Sequence, residues 1–197
     1  MDAPDNQTRQ KILDAALKLF AHRGYAGTSV QDIVDAARVT KPTLYYYFGN
    51  KSALYQALVD FAHDERFRLM QEASAHGGTL QGTLEELLTS LFEFMRDNRD
   101  VIRVAFATAF AAPGEMPEDV RYLDKCTRNF EFVHALIKRA QAVGELHSGF
   151  ASKELAYGFF GAMNIYVMAE LVQPAKRLNR RTARRIVRLY LAGAARK

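Results

Sequence analysis

Residues 28–51, TSVQDIVDAARVTKPTLYYYFGNK, hold two short apolar-periodic runs separated by a tight break. The second run carries Tyr45, Tyr46 and Tyr47 in succession. Neighbouring residues of a helix are about 100° apart, so three consecutive rings cover most of its circumference and cannot all face one core. At least one ring, with the polar residues beside it, has to point at solvent or at a partner.

The flanks of this stretch read as helix. Upstream, Ile12, Ala15, Ala16, Leu19 and Phe20 recur at i, i+3, i+4, i+7 and i+8, one face of a helix that Gly24 can close. Thr28 or Ser29 can cap the next helix: Thr28 with Gln31 fits a capping box, and Ser29 with Asp32 fits it loosely. That helix is expected over about Val30–Ala37, burying Val30, Ile33, Val34 and Ala37, with Arg38-Val39 as the turn. Thr40 caps a third, very short helix with Pro42 in its first turn, where the missing N–H does no harm. Leu44 and Phe48 face inward; Tyr45 and Tyr46 then face out, and Tyr47 is placed equally well in the core or at a partner. Gly49-Asn50 starts a fourth helix at Lys51, with Ala53, Leu54, Leu58, Phe61 and Ala62 along one side and an end near Ala75. This is helix-turn-helix organisation.

A helix-turn-helix puts the start of its second helix into the major groove. Thr40, Lys41, Pro42 and Thr43 stand at such a start, where free N–H groups and the positive dipole end suit a phosphate or a base edge. Lys41 can donate to guanine, and Thr43 to phosphate or base. The Tyr45 and Tyr46 hydroxyls can donate to phosphate oxygens, and Lys51 can hold the next phosphate. The run VTKPTLYYYFGNKSALYQAL, preceded by TSVQDIVDAARV, closely resembles the DNA-binding domain of the tetracycline-repressor (TetR) family over residues 9–62. The resemblance implies DNA contacts by Ser29, Gln31, Lys41, Pro42, Thr43, Tyr45, Tyr46, Tyr47 and Lys51. It departs at Arg38, where the family usually has glycine: either a non-glycine residue takes a positive φ there, or the turn differs, and Arg38 can also reach a phosphate.

Beyond His76-Gly77-Gly78-Thr79, the pattern stays helical. Leu84, Leu87, Leu88, Leu91, Phe92 and Met95 form one stripe. Further helices are expected over 100–112, 118–143 (burying Leu123, Phe130 and Ile137), 152–172 (capped by Ser152 and apolar nearly all round) and 180–195. The fold class is therefore all-α. Residues 1–50 form a three-helix DNA-binding domain, 51–75 a linking helix, and 76–197 a larger helical domain for effector binding and dimerisation. The resemblance implies that this larger domain binds a small effector and pairs with a second copy. Small residues in 152–172 (Gly158, Gly161, Ala162, Ala169) and the apolar stripe of 180–195 suit homodimerisation through the last two helices. Aromatic and sulfur-bearing side chains with interspersed polar groups give a candidate ligand set: Phe106, Phe110, Cys126, Phe130, His134, Phe160, Met163 and Asn164. The same residues also read as plain core, and His134 as a satisfied core histidine.

Composition narrows the function classes. The chain has 197 residues, 49% hydrophobic and 25% charged, an ordinary globular balance. Its net charge of +5 is unevenly spread: +1 over residues 1–60, −5 over 61–175 and +9 over 176–197. DNA contact therefore depends on local placement rather than on a general polycation. The basic face Arg181, Arg184, Arg185 and Arg188 reads as solvated or as paired with the acidic middle region. There is no HExxH, Cys/His cluster, nucleophile elbow or phosphate loop, and the five histidines fall in no metal spacing. The expectation is a non-enzyme without metal or cofactor. One cysteine, a polar N-terminus and no uninterrupted apolar run of about 18 residues point to the cytoplasm, with no membrane partner. Together these features describe a homodimeric transcriptional regulator, a repressor in the first instance, released from a near-palindromic operator by a small, largely apolar effector. The alternative is a DNA-bound regulator controlled by a protein partner or acting without an effector.

Overall fold

The computed structural model describes residues 3–75, 78–112, 114–175 and 177–194, leaving aside the side chains of residues 3–5 and 194. Among the described residues it is all-α, with nine helices and no strand. They are α1 (Ala3–Arg23), α2 (Val30–Ala37), α3 (Lys41–Phe48), α4 (Lys51–Ala75), α5 (Leu80–Asp97), α6 (Arg99–Ala109), α7 (Leu123–Ala142), α8 (Ser152–Val172) and α9 (Arg180–Ala194). The chain packs as two compact units: Met1–His63 with Asp100–Leu123, and Asp64–Arg99 with Asp124–Lys197. These units do not follow the sequence-based division at residues 50 and 76, because α4 is split and α6 joins the N-terminal helices.

In the first unit, α1, α2 and α3 pack on one another around Ile12, Ala16, Phe20, Ile33, Val34, Leu44 and Phe48. Burying a side chain such as Leu44 is worth about 2 kcal/mol. Leu54, Tyr55, Leu58 and Val59 of α4 complete this core, joined by Val104 of α6 and Val120 of the loop after it. Phe20, Tyr25 and Tyr55 form an aromatic trio with centroids 5.1–5.8 Å apart. The Tyr55 hydroxyl is 2.8 Å from that of Thr108, which donates to the Val104 carbonyl. Gln56 exchanges two hydrogen bonds with the Arg121 backbone. Ala53 and Phe61, assigned from sequence to the inner side of α4, turn outward.

In the second unit α5 packs on α9 and α8. Leu84, Leu87, Leu88, Leu91 and Phe92 of α5 are fully buried, as are Val133 and Ile137 of α7, Ala156 and Phe159 of α8, and Ala183 and Val187 of α9. Arg180 and Arg184 pair with Glu86 and Glu85, so part of the basic tail is answered by acids of the middle region, as its composition suggested. Three details correct the sequence reading. Helix α7 begins at Leu123, whose side chain is exposed rather than buried, and Phe130 is only partly buried. Helix α8 is capped by the reach of Glu154 back to the Ala151 N–H, and the Ser152 hydroxyl instead serves His134. Finally, α8 is not covered all round: Tyr157, Ile165, Met168 and Val172 are exposed. By length and composition this helix could also cross a membrane, and a third of its most apolar window is buried within the protein.

Candidate nucleic-acid interface and effector site

The presentation of α3 is built by local hydrogen bonds. Ser29 rather than Thr28 caps α2: its backbone N–H donates to Asp32, and its hydroxyl accepts from the Asp32 N–H. The Ser29 hydroxyl also donates to the Asp32 carboxylate, and this bond, with the one from the Ser29 N–H, holds the Asp32 carboxyl below the usual range. The buried Thr28 hydroxyl donates to the Gly24 carbonyl, and Gln31 donates to Asp35. Helix α2 ends at Arg38, whose φ of 55° and ψ of 47° are left-handed, the first of the two alternatives that its place in the glycine position left open. A residue with a Cβ pays about 1 kcal/mol for this conformation. The Val39 N–H closes the turn on the Val34 carbonyl.

Thr40 caps α3 by accepting from the Thr43 N–H, and their hydroxyls lie 2.8 Å apart. Pro42 has no N–H, so the Lys41 N–H is what the first turn leaves for an anion. The side chains follow the sequence reading closely. Leu44 and Phe48 are buried; Tyr45 is 45% exposed and Tyr46 78%. Tyr47, left open, is half-buried: it packs against the core of its unit and meets Tyr46 edge-on at 5.1 Å. Lys41 and Pro42 are exposed, and Thr43 is partly so.

Lys51 behaves differently from its assignment to phosphate. Its ammonium donates to the Tyr25 and Thr28 carbonyls at 3.1 and 2.8 Å and lies 4.0 Å from the centre of the Tyr25 ring. Burial lowers its pKa. It ties the loop between α1 and α2 to the start of α4.

A family model of the bacterial regulatory proteins, tetR family, matches residues 12–58, which span the end-to-end core of this α1–α4 arrangement. Over those residues the chain is similar to the TetR family. It is 32% identical over 96 residues to the HTH-type transcriptional repressor KstR2 of Rhodococcus jostii, covering 49% of this chain and 47% of that one. The chain spans about half the length, or less, of the curated relatives it matches. The TetR family regulator PfmR from Thermus thermophilus superposes with a TM-score of 0.76 over 96% of this chain and 98% of its own, at 20% identity. A gamma-butyrolactone receptor (ArpA like protein) gives 0.74 over 98% and 90%, at 22% identity. At such identities the likeness is one of fold.

The eight residues nominated for a ligand are divided between the two units. Phe106 and Phe110 belong to the first unit, stacked on each other at 6.2 Å, with Phe110, just past the end of α6, 77% exposed. The other six lie in the second unit on α7 and α8. There Phe130 is surrounded by Phe160 at 5.7 Å, Tyr157 at 4.6 Å and His134 at 6.1 Å. His134 is satisfied by protein groups: Nδ1 lies 3.0 Å from Glu131 and Nε2 2.9 Å from the Ser152 hydroxyl. Met163 is buried, and Cys126 and Asn164 are partly so. Burial pushes the Cys126 thiol up, against a redox-reactive thiolate. None of these residues lines the cleft of about 250 Å³ between the start of α5 and the end of α7, bordered by Leu80, Thr83, Leu136, Arg139, Val143 and Glu145.

The sequence reading missed Arg66. Its guanidinium lies 4.6 Å from the Phe160 centroid, and its Nη2 donates to the Met163 sulfur at 3.6 Å. It stands four residues from both Ala62 and Met70 on the buried stripe of α4, which also holds His63.

Proposed function

We propose that this chain is a homodimeric, effector-responsive transcriptional regulator acting as a repressor, which binds a near-palindromic operator. The observation that carries the DNA reading is the face of α3: Lys41, Tyr45 and Tyr46 are exposed at one end of a helix whose other face is locked by Leu44 and Phe48. Ser29, Gln31, Pro42, Thr43 and Tyr47 complete the contact set, with Lys51 acting on it by fixing the turn. The Ser29 and Gln31 side chains are engaged with Asp32 and Asp35, so they meet DNA through groups already held in place.

Pairing with a second copy is supported by Tyr157, Ile165, Met168 and Val172 on α8 and Leu189 on α9, large apolar residues that their own protomer leaves exposed. Two such helix pairs make a four-helix interface, and a two-fold dimer reads half-sites about 34 Å apart. A largely apolar effector among the aromatic side chains of α7 and α8 would release the DNA. The site of action is the cytoplasm, where the operator is.

The test is a mobility-shift series with duplexes from the DNA upstream of its own gene, over a range of salt. Binding that weakens steeply as salt rises is expected. Absence of binding at low salt sinks the reading.

A further inference from the structure

Arg66 carries a charge that the protein does not answer. Its Nε is fully covered and has no acceptor. Its Nη2 reaches only a thioether sulfur, a weak acceptor. The carboxylates on the same part of α4 are committed elsewhere: Asp64 to Lys125 and Arg128, and Glu65 and Glu72 to Arg68. The Cys126 thiol beside it, pushed up by burial, is neutral at pH 7 and supplies no negative charge. Burial brings the Arg66 pKa down to about 10, which still leaves it protonated at neutral pH. A partly buried cation whose covered Nε has no acceptor is costly, and a methionine or leucine would fill the same volume without that cost.

We propose that Arg66 anchors the carboxylate of a small ligand with an apolar body, held in the second unit beside Phe160, Met163 and Cys126. The inference rests on the effector reading above and names the chemical class that reading left open. Geometry favours a carboxylate. Nε–H and the Nη2–H beside it form the parallel edge of the guanidinium fork, which a carboxylate accepts with two oxygens. The Met163 sulfur stands where one of those oxygens would be, and a methionine side chain is flexible enough to yield. Charge favours a monoanion, because one guanidinium balances one carboxylate, whereas a phosphate dianion would bring a second uncompensated charge into the same place. Phe160 and the adjoining Phe130 call for an apolar remainder.

The experiment compares decanoate with decan-1-ol, equal in chain length but neutral. Both are titrated calorimetrically into the ligand-free full chain and into Arg66→Met and Arg66→Lys. Wild type should prefer decanoate by about 10- to 100-fold, the worth of charge-assisted hydrogen bonds. Arg66→Met should lose the preference, and Arg66→Lys, which keeps the charge but not the fork, should bind decanoate about tenfold more weakly. Equal affinities in the wild type, binding of neither compound, or a preference that survives Arg66→Met overturns the proposal. Should Arg66→Met not fold, the wild-type ratio and Arg66→Lys decide it. Mobility shifts with decanoate separate the two readings. Carboxylate binding through Arg66 that leaves DNA bound keeps this inference and sinks the effector reading, whereas release of DNA by other compounds, with no carboxylate preference, does the reverse.

Discussion

Helix α4 carries a cation over an aromatic ring in each of the two units, and the two cations are treated in opposite ways. In the first unit, Lys51 lies over Tyr25 and also donates to two backbone carbonyls. In the second unit, Arg66 lies over Phe160 and has only a sulfur. The first unit spends its polar groups internally: the Ser29–Asp32 box, the Thr28–Gly24 bond and the Lys51 clamp all serve the presentation of α3. The second leaves a guanidinium unanswered and an apolar face of α8 uncovered. A surface that reads a rigid partner needs its side chains fixed beforehand, while a site that responds to a ligand needs something the ligand alone can satisfy.

The contrast is sharpest at the two cations themselves. Replacing Lys51 with methionine removes the donor to the Thr28 carbonyl and leaves the Tyr25 carbonyl with the Thr28 N–H alone, and should destabilise the protein by about 2 kcal/mol, read as a lower Tm together with loss of DNA binding. Replacing Arg66 with methionine should do the opposite: without ligand, the variant should melt no lower than the wild type and bind DNA unchanged. If both variants lose stability equally, the two cations play the same structural role and the comparison collapses. Next in size is Tyr46→Ala. It should weaken operator binding about tenfold, or about 1.4 kcal/mol, with no change in Tm, because the ring is exposed. A drop in Tm would mean that the outward face of α3 is part of the core.

Smaller effects probe how strictly the first unit is built. Arg38→Gly relieves a left-handed residue and should raise stability by about 0.5–1 kcal/mol. The same variant shows whether Arg38 touches a phosphate, because the slope of log affinity against log salt would then fall by about one. The slightest effect concerns Asp32. Its folded pKa is lowered by Ser29, so its contribution is present above the ordinary carboxylate pKa and disappears as pH falls through the lowered value. Melts of wild type and Asp32→Asn should therefore differ at pH 7, begin to draw together below about pH 4, and converge only once the pH is below the lowered value.

What could be read from sequence followed the range of the interactions. The α2–α3 arrangement depends on neighbours within four residues, so its caps, its turn and the outward Tyr45 and Tyr46 were legible. Arg38 was legible as a conflict between a side chain and a backbone position. The choice between Thr28 and Ser29 as cap was not, because Thr28 is claimed by Gly24, a bond that depends on how the loop folds back. The ligand residues were legible only as composition. An aromatic at helical spacing looks the same in a core, as with Phe159, on the surface, as with Phe110, or beside a cation, as with Phe160. Lys51 and Arg66 both look like ordinary helix-surface cations, and only the tertiary structure shows what faces them.

The hydroxyl pair of Tyr55 and Thr108 has a consequence in time. The DNA-reading unit is discontinuous, and it is not finished when its first 63 residues exist. Val104, Thr108 and Val120 still have to arrive from the far side of α5. Closing that long loop is the slow kind of step, paid in chain entropy before any contact repays it. On the ribosome, the helix-turn-helix therefore waits, without the Thr108 partner of Tyr55, until nearly as many residues again have been made.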